Sequence, residues 1–559
     1  MDNPAAAPAE EFDFVIVGAG SAGAVLAHRL SADGTTTVLV LEHGGSDRSV
    51  FIQMPSALAI PMNSPRYDWG YRTEPEPQLG GRELHCPRGK VIGGSSSING
   101  MVYVRGNPLD FDRWEAEGAR GWSYRDVLPY FRRAESRAAG GDAYRGDQGP
   151  LHTSYGRLAN PLYRCFVEAA KQAGYAESED LNGFRQEGFG RLDMTVHRGR
   201  RWSAANAYLR PARRRANLEL RAHCLATRIL FDARRAVGVV YRRGEREMTV
   251  RARREVLLAG GPINTPQLLE LSGVGRPAEL ARHGIAVTQA LPGVGENLQD
   301  HLEFYFQLAC TQPITLYSSL GTLAKARIGL RWLLAKDGLG ATNHFEVGGF
   351  IRSRAGVKYP DIQYHFLSLA ISYDGSRKVR RHGFQAHVGP MRSKSRGWVR
   401  LRSADPRERP RIAFNYMSHE DDWAEMRAGV RLTREIFAQS AFEPYRGEEL
   451  APGSAVTSDA AIDAFIRDHV ESAYHPCGTC RMGDPTDPMT VVDAEARVIG
   501  LGQLRVVDSS IMPSITTGNL NAPTIMLAEK AADHILGNPM LPPSNAPNFI
   551  APDWETTQR

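Results

Sequence analysis

One short C-terminal stretch, residues 471–533, holds a histidine, an aspartate and an asparagine. His475 lies in Ser472-Ala473-Tyr474-His475-Pro476, Asp508 closes the run Leu504-Arg505-Val506-Val507, and Asn519 lies in Gly518-Asn519-Leu520-Asn521. An imidazole titrates at about 6.5 when unperturbed, so it suits taking a proton from a hydroxyl near neutral pH. Near the N-terminus stands Gly18-Ala19-Gly20-Ser21-Ala22-Gly23, a pattern that cradles a dinucleotide. Taken together, the two features read as a flavin enzyme that removes hydride from an alcohol. Such chemistry has two requirements: a base at the oxygen, and rigid placement of the carbon against a flavin whose N5 accepts the hydride.

The elements around the glycines support the cofactor half of this reading. Phe14-Val15-Ile16-Val17 is an apolar run suited to a buried parallel strand. Gly18, Gly20 and Gly23 then allow a tight turn and close backbone approach to a pyrophosphate at the start of a helix over residues 21–32. Val38 to Leu41 forms the next strand, and Glu42 at its end is placed to accept hydrogen bonds from ribose hydroxyls. Residues 255–261 and 504–508 are further strands, ending in glycines and in an acid. Both belong in a doubly wound sheet with its ligand at the strand carboxyl ends. The texture changes between residues 311 and 446. Alternation at 362–366, 385–388 and 398–402 predicts antiparallel strands with one polar face, and residues 421–439 have helical periodicity.

The expected fold is therefore α/β, α+β overall: a doubly wound FAD-binding domain with a substrate domain of mostly antiparallel sheet and flanking helices. The first takes residues 12–155, 200–310 and 465–540, the second 156–199 and 311–464, with a tail over 541–559. A chain of 559 residues with 42% hydrophobic content is long enough for two lobes. No run of roughly 18 apolar residues offers a membrane span. The start Met1-Asp2-Asn3-Pro4 lacks the basic and apolar regions of a secretory signal. The expected location is the cytoplasm, with peripheral association at the inner face of the cell membrane open. The net charge of +6 is modest and includes Arg-rich residues 210–215; without a binding module it argues against nucleic acid. Six cysteines are too few for a disulfide scaffold. Cys477 and Cys480 have no second ligand pair for zinc, so a pair of small buried residues is the better reading, and no metal is expected.

Residues 89–99, continuing to Tyr103 and Gly106, resemble the first signature of the glucose-methanol-choline (GMC) oxidoreductases, and residues 261–275 resemble the second. The resemblance runs from about Phe12 to Gly537. Within the family, residues 291–303, 343–352 and 414–420 are most similar to the bacterial choline-oxidising members. It implies FAD, with Gly18, Gly20, Ser21, Gly23 and Glu42 at the ADP half. Gly93, Gly94, Ser95 and Asn99 would lie along the flavin, and Asp508 near the ribityl or pyrophosphate. It makes His475 the catalytic histidine and Asn519 its partner. A quaternary ammonium has no N–H donor, so its site needs aromatic faces and a carboxylate. Glu303 matches the carboxylate of the choline-oxidising members and His365 their second active-site histidine; Trp69 and Tyr474 are the aromatic candidates. Some of these members attach FAD through a histidine where this chain has Ile98. Isoleucine has no nucleophile, which implies noncovalent FAD.

Three readings remain open at this point. The first is oxidation of choline to betaine aldehyde, with or without a further step to glycine betaine, and with electrons passed to a quinone or other acceptor. The second is a dehydrogenase of aliphatic or polyether alcohols, and the third a lyase or non-catalytic flavoprotein of the same fold.

Overall fold

The structure is a computed structural model that describes residues 10–371 and 379–559; the Met1-Asp2-Asn3-Pro4 start lies outside the described residues. Its first sheet runs in the order Leu218–Ala222, Val38–Glu42, Glu10–Val17, Arg246–Leu258, Arg235–Arg243, Leu225–Asp232. The first four strands are mutually parallel, and the last three form an antiparallel meander. Arg246–Leu258 is long enough to serve both patterns. Its first half pairs with Arg235–Arg243, and its end pairs in parallel with Leu504–Val506.

Phe14, Val15 and Ile16 are buried in the middle of this sheet, as a continuous apolar run requires when helices cover both faces. Helices Ser21–Leu30 and Asn521–Leu536 pack against each other. All the parallel strands therefore end at the edge where the loops 18–20, 42–45, 259–261 and 507–509 gather. Residues far apart in the chain build this edge, and it is there that a doubly wound sheet binds its ligand.

The second sheet is wholly antiparallel, in the order Arg446–Ala451, Leu302–Cys310, Gly383–Pro390, Ile362–Leu367, Val347–Ile351, Gly188–Arg191, with Glu471–Ser472 paired to Leu302–Cys310. Strand Leu302–Cys310 and the pair Glu471–Ser472 thus fall in the antiparallel sheet, although the expected boundaries grouped both with the first domain. Hydrogen bonding to Gly383–Pro390 decides the matter for the strand. Residues 398–402 begin with an antiparallel strand, as expected: Trp398–Arg400 pairs with Arg411–Ala413 in a separate two-stranded ribbon.

The alternating strands are antiparallel with one apolar and one polar face, as expected. Ile362–Leu367 and Gly383–Pro390 are buried along their whole length, so their polar face does not meet solvent. Tyr364, Phe366, Phe384 and Val388 pack in the apolar core, under helices Pro161–Gln172 and Glu420–Ala438. Gln363, His365, Gln385 and His387 occupy the other face, and it is buried against the rest of the protein. A buried polar row costs free energy unless each group finds a partner. Most of these groups do, as the site shows; Gln363 Oε1 is buried with no hydrogen-bond partner.

Candidate active site

A single elongated cavity runs between the two sheets. Gly18, Gly20, Ser21 and Glu42 line it, as do Gly94, Ser95, Asn99 and Asp508; further along are Glu303, His365, His475 and Asn519.

At the nucleotide-domain end the backbone makes the space. Gly18 has φ +102°, and a Cβ there would stand 2.4 Å from the carbonyl oxygen of Ala259. A Cβ on Gly94 (φ +53°) would lie 2.6 Å from the Cα of Gly20. Two loops therefore touch backbone to backbone, which only glycine permits. The first-turn N–H groups of helix Ser21–Leu30 face no acid of their own first turn, the arrangement that accepts an anionic group. Glu42 receives Ala19 N–H at 2.9 Å and Gly44 N–H at 2.7 Å, so it also braces the glycine loop. Burial pushes its carboxyl up to about 7. Asp508 accepts from Gly261 N and Thr265 Oγ1 at the start of helix Gly261–Leu271. A cradle of glycine backbone, a helix N-terminus and a buried carboxylate fits a dinucleotide cofactor.

At the other end one hydrogen-bond chain determines tautomers. His301 Nε2 is 3.0 Å from the carbonyl oxygen of Met391, so it must carry the proton and donate. Its bare Nδ1 then accepts from His475 Nδ1, also at 3.0 Å. That leaves His475 Nε2 unprotonated, and it accepts from Asn519 Nδ2–H at 3.0 Å. Burial first, then the charges of His301, His365 and Arg88, hold His475 well below the ordinary histidine range. It is therefore a neutral imidazole with a lone pair at the cavity wall. Asp300 fixes its backbone by accepting His475 N–H at 2.6 Å. Tyr474, next to it, has φ +66°, and Arg88 Nη2 holds its carbonyl at 2.6 Å.

The polar face of the antiparallel sheet supplies the remaining wall. Gln385 Oε1 accepts from Ile371 N–H at 2.8 Å, so its Nε2 is the donor to His387 Nε2 at 2.7 Å. His387 must then donate from Nδ1 to Glu303 Oε1, at 2.8 Å. Phe345 packs edge-on to both His365 and His387, with centroids 5.9 and 5.5 Å away. Asn519 Oδ1 lies 3.3 Å from Gln363 Nε2 and from His365 Nε2. Burial lowers His365 to about 4, which keeps it neutral as well.

Residues 12–303 and 393–528 match the GMC oxidoreductase family. The chain belongs to that family. This GMC oxidoreductase is 60% identical to the oxygen-dependent choline dehydrogenase of Brucella ovis, over 98% of this chain and 100% of that protein. It is 58% identical to the protein of the same name from Photobacterium profundum, over 98% and 97%. Among solved structures it is similar to pyridoxine 4-oxidase from Mesorbium loti, with a TM-score of 0.86 and 31% identity over 94% of this chain and 100% of that one. It is also similar to Aspergillus oryzae formate oxidase, with a TM-score of 0.89 and 27% identity over 95% and 99%.

Within this GMC oxidoreductase, direct contacts join His475, Asn519 and His365, while Glu303 stands on the same cavity. Trp69 and Tyr474 line it too, with Trp69 stacked between His43 and Tyr71. Gly23 and Gly93 do not line it. A Cβ on Gly23 would sit 1.9 Å from Gly18 O, and one on Gly93 2.3 Å from Ser97 Oγ. They act by letting the chain pack, one step behind the surface. Sequence reasoning assigned no role to Asp300, His301, His387, Gln363 or Phe345. Asp300 and His301 stood within the quoted 291–303 motif, and that is the only signal that pointed at either. Cys477 and Cys480 are buried free thiols, which burial pushes upward; thiolate chemistry is suppressed there. No cluster of three or more metal-ligating groups exists among the described residues.

Proposed function

We propose that this GMC oxidoreductase oxidises choline to betaine aldehyde, with His475 taking the hydroxyl proton at Nε2. One observation carries the reading: a neutral imidazole with its lone pair held by a fixed hydrogen-bond chain shares its cavity with a carboxylate and an aromatic ring. The relatives at 58–60% identity named choline dehydrogenases support it.

FAD is the cofactor; when bound, it accepts the hydrogen that leaves the alcohol carbon with its electron pair. Gly18, Gly20, Ser21 and Glu42 hold its ADP half. Gly94, Ser95 and Asn99 would lie along the flavin and Asp508 near the ribityl or pyrophosphate, while Gly23 and Gly93 let the backbone pack behind them. The roles of the protein groups toward substrate follow from their chemistry. Asn519 anchors the alcohol oxygen beside His475. Glu303 faces the trimethylammonium group, and Phe345, with Trp69 and Tyr474, provides aromatic faces for a cation. Burial excludes water, which strengthens the attraction between Glu303 and that cation.

Anaerobic mixing with choline should bleach the flavin absorbance, and a long aliphatic alcohol should do so far more slowly. Preference for the aliphatic alcohol moves the assignment to a general alcohol dehydrogenase, and bleaching by neither alcohol favours a lyase. Ile98 lines the cavity where an attaching histidine would be needed. Acid precipitation should therefore release all the yellow chromophore into the supernatant. Flavin left on the denatured protein rules out noncovalent binding.

The electrons then pass to a quinone-type acceptor at the inner face of the cell membrane. The Brucella and Photobacterium relatives are named oxygen-dependent, so peroxide formation measured against quinone reduction separates the two acceptors. No helix among the described residues is long and apolar enough to cross a membrane.

A further inference from the structure

Helix Thr322–Ala335 is folded but hardly covered. Trp332 is the one residue it buries, at 2% exposed. That ring pegs the helix to the body: its Nε1 donates to Gly199 O at 2.6 Å, and its Cβ lies 2.7 Å from where a Cβ on Gly340 would stand. Leu323 is 87% exposed, Leu334 80%, Leu330 58% and Leu333 51%. Ordinary soluble surfaces scatter such residues singly. Here they are aligned. At about 100° per residue, Leu323, Leu330 and Leu334 fall on one stripe opposite Trp332, and Arg327 and Arg331 border that stripe along one side.

The charge on this segment has one sign. Residues 322–339 carry Lys325, Arg327, Arg331 and Lys336 against the single acid Asp337. Asp337 is already shared between Arg331, at 2.9 Å, and Arg157, at 2.8 Å. The apolar surface also continues toward the active-site cavity. The turn Gly338–Ala341 packs on Pro55–Ala57. The segment that follows places Leu58 and Met62 on the cavity wall and leaves Ile60 between them 49% exposed.

We infer that helix Thr322–Ala335 lies in the plane of an anionic lipid surface, with its leucine stripe in the acyl boundary and its arginines at the phosphates. Fourteen residues span about 21 Å, too short to cross a bilayer but suited to lying on one. Exposed leucines gain by leaving water, and flanking cations gain at an anionic surface. A second copy of the chain is the poorer occupant, since a two-fold contact through this face would bring both sets of arginines together. The inference rests on the membrane-side reading above and assigns it a face, opening toward the cavity on the side from which a bilayer-soluble acceptor would come.

Vesicle co-sedimentation of the FAD-loaded enzyme tests it. Wild-type protein should partition onto phosphatidylcholine vesicles containing a minority of phosphatidylglycerol, and much less onto phosphatidylcholine alone. Leu323→Ser/Leu330→Ser/Leu334→Ser should lower the partition coefficient at least about 100-fold. Arg327→Gln/Arg331→Gln should lower it roughly fivefold per charge, an effect that added salt reproduces. Both variants should keep wild-type flavin content and choline turnover with a soluble dye, because none of these side chains touches the cavity. If wild type binds anionic vesicles and the leucine variant binds equally well, the helix is not the face, although the membrane reading stands. Wild type that binds no vesicle overturns both, and a concentration-dependent dimer lost in the leucine variant assigns the stripe to a second copy.

Discussion

His475→Ala should fold and keep its flavin, yet reduce it roughly 10²–10⁴ times more slowly in a single turnover with choline, the range expected for removal of a general base. The reason lies in the tautomer chain. Met391 O fixes the proton on His301 Nε2, His301 Nδ1 draws the proton of His475 to Nδ1, and His475 Nε2 is left as the acceptor. Burial depresses the imidazole's proton affinity, so the neutral form already predominates at neutral pH. The other histidine beside Asn519, His365, is also neutral, but its Nε2 contacts Gln363 and Asn519. Alanine at 475 therefore removes the one acceptor whose lone pair the network aims. Flavin content is the control, because the glycine loops proposed to hold the ADP half do not touch His475. A single-turnover loss of less than about fivefold, far below the general-base range, would transfer the role to another group.

Glu303→Gln should cut kcat/KM for choline by about 30-fold to several thousandfold, the scale of roughly 2–5 kcal/mol for a buried cation that loses its counter-charge. The structure makes this substitution unusually clean. His387 donates to Glu303 Oε1, and a glutamine carbonyl can still accept that proton, so shape and hydrogen bond persist while the charge is lost. The neutral isostere 3,3-dimethylbutan-1-ol should therefore lose far less than choline in the same variant. Equal losses on both substrates would mean that the carboxylate organises the site instead of reading a cation.

The cofactor end of the site was legible in the chain because it is built locally. Gly18, Gly20 and Gly23, the strand before them and Glu42 after them all lie within residues 14–42. Apolar runs and glycine spacing encode a strand-turn-helix unit whose backbone geometry follows from sterics alone. Ile98 was equally legible, since the absence of a nucleophile is a property of the residue. His475, Asn519 and Glu303 could be named, but only through motif resemblance. Nothing local distinguishes His475 from the other fifteen of the 16 histidines.

What the chain could not state was which groups surround these residues. The contact of His301 with His475 spans 174 residues, and that of Glu303 with His387 spans 84. Alternation in 362–366 and 385–388 determined that two faces of a sheet differ, one apolar and one polar. Only the tertiary structure decided that the polar face is buried against a cavity instead of facing water, because periodicity reports how side chains sort and not what covers them. In that burial a row of Gln and His side chains must pair with one another, and beside it the contact of Met391 O with His301 fixes the tautomer that makes His475 Nε2 an acceptor.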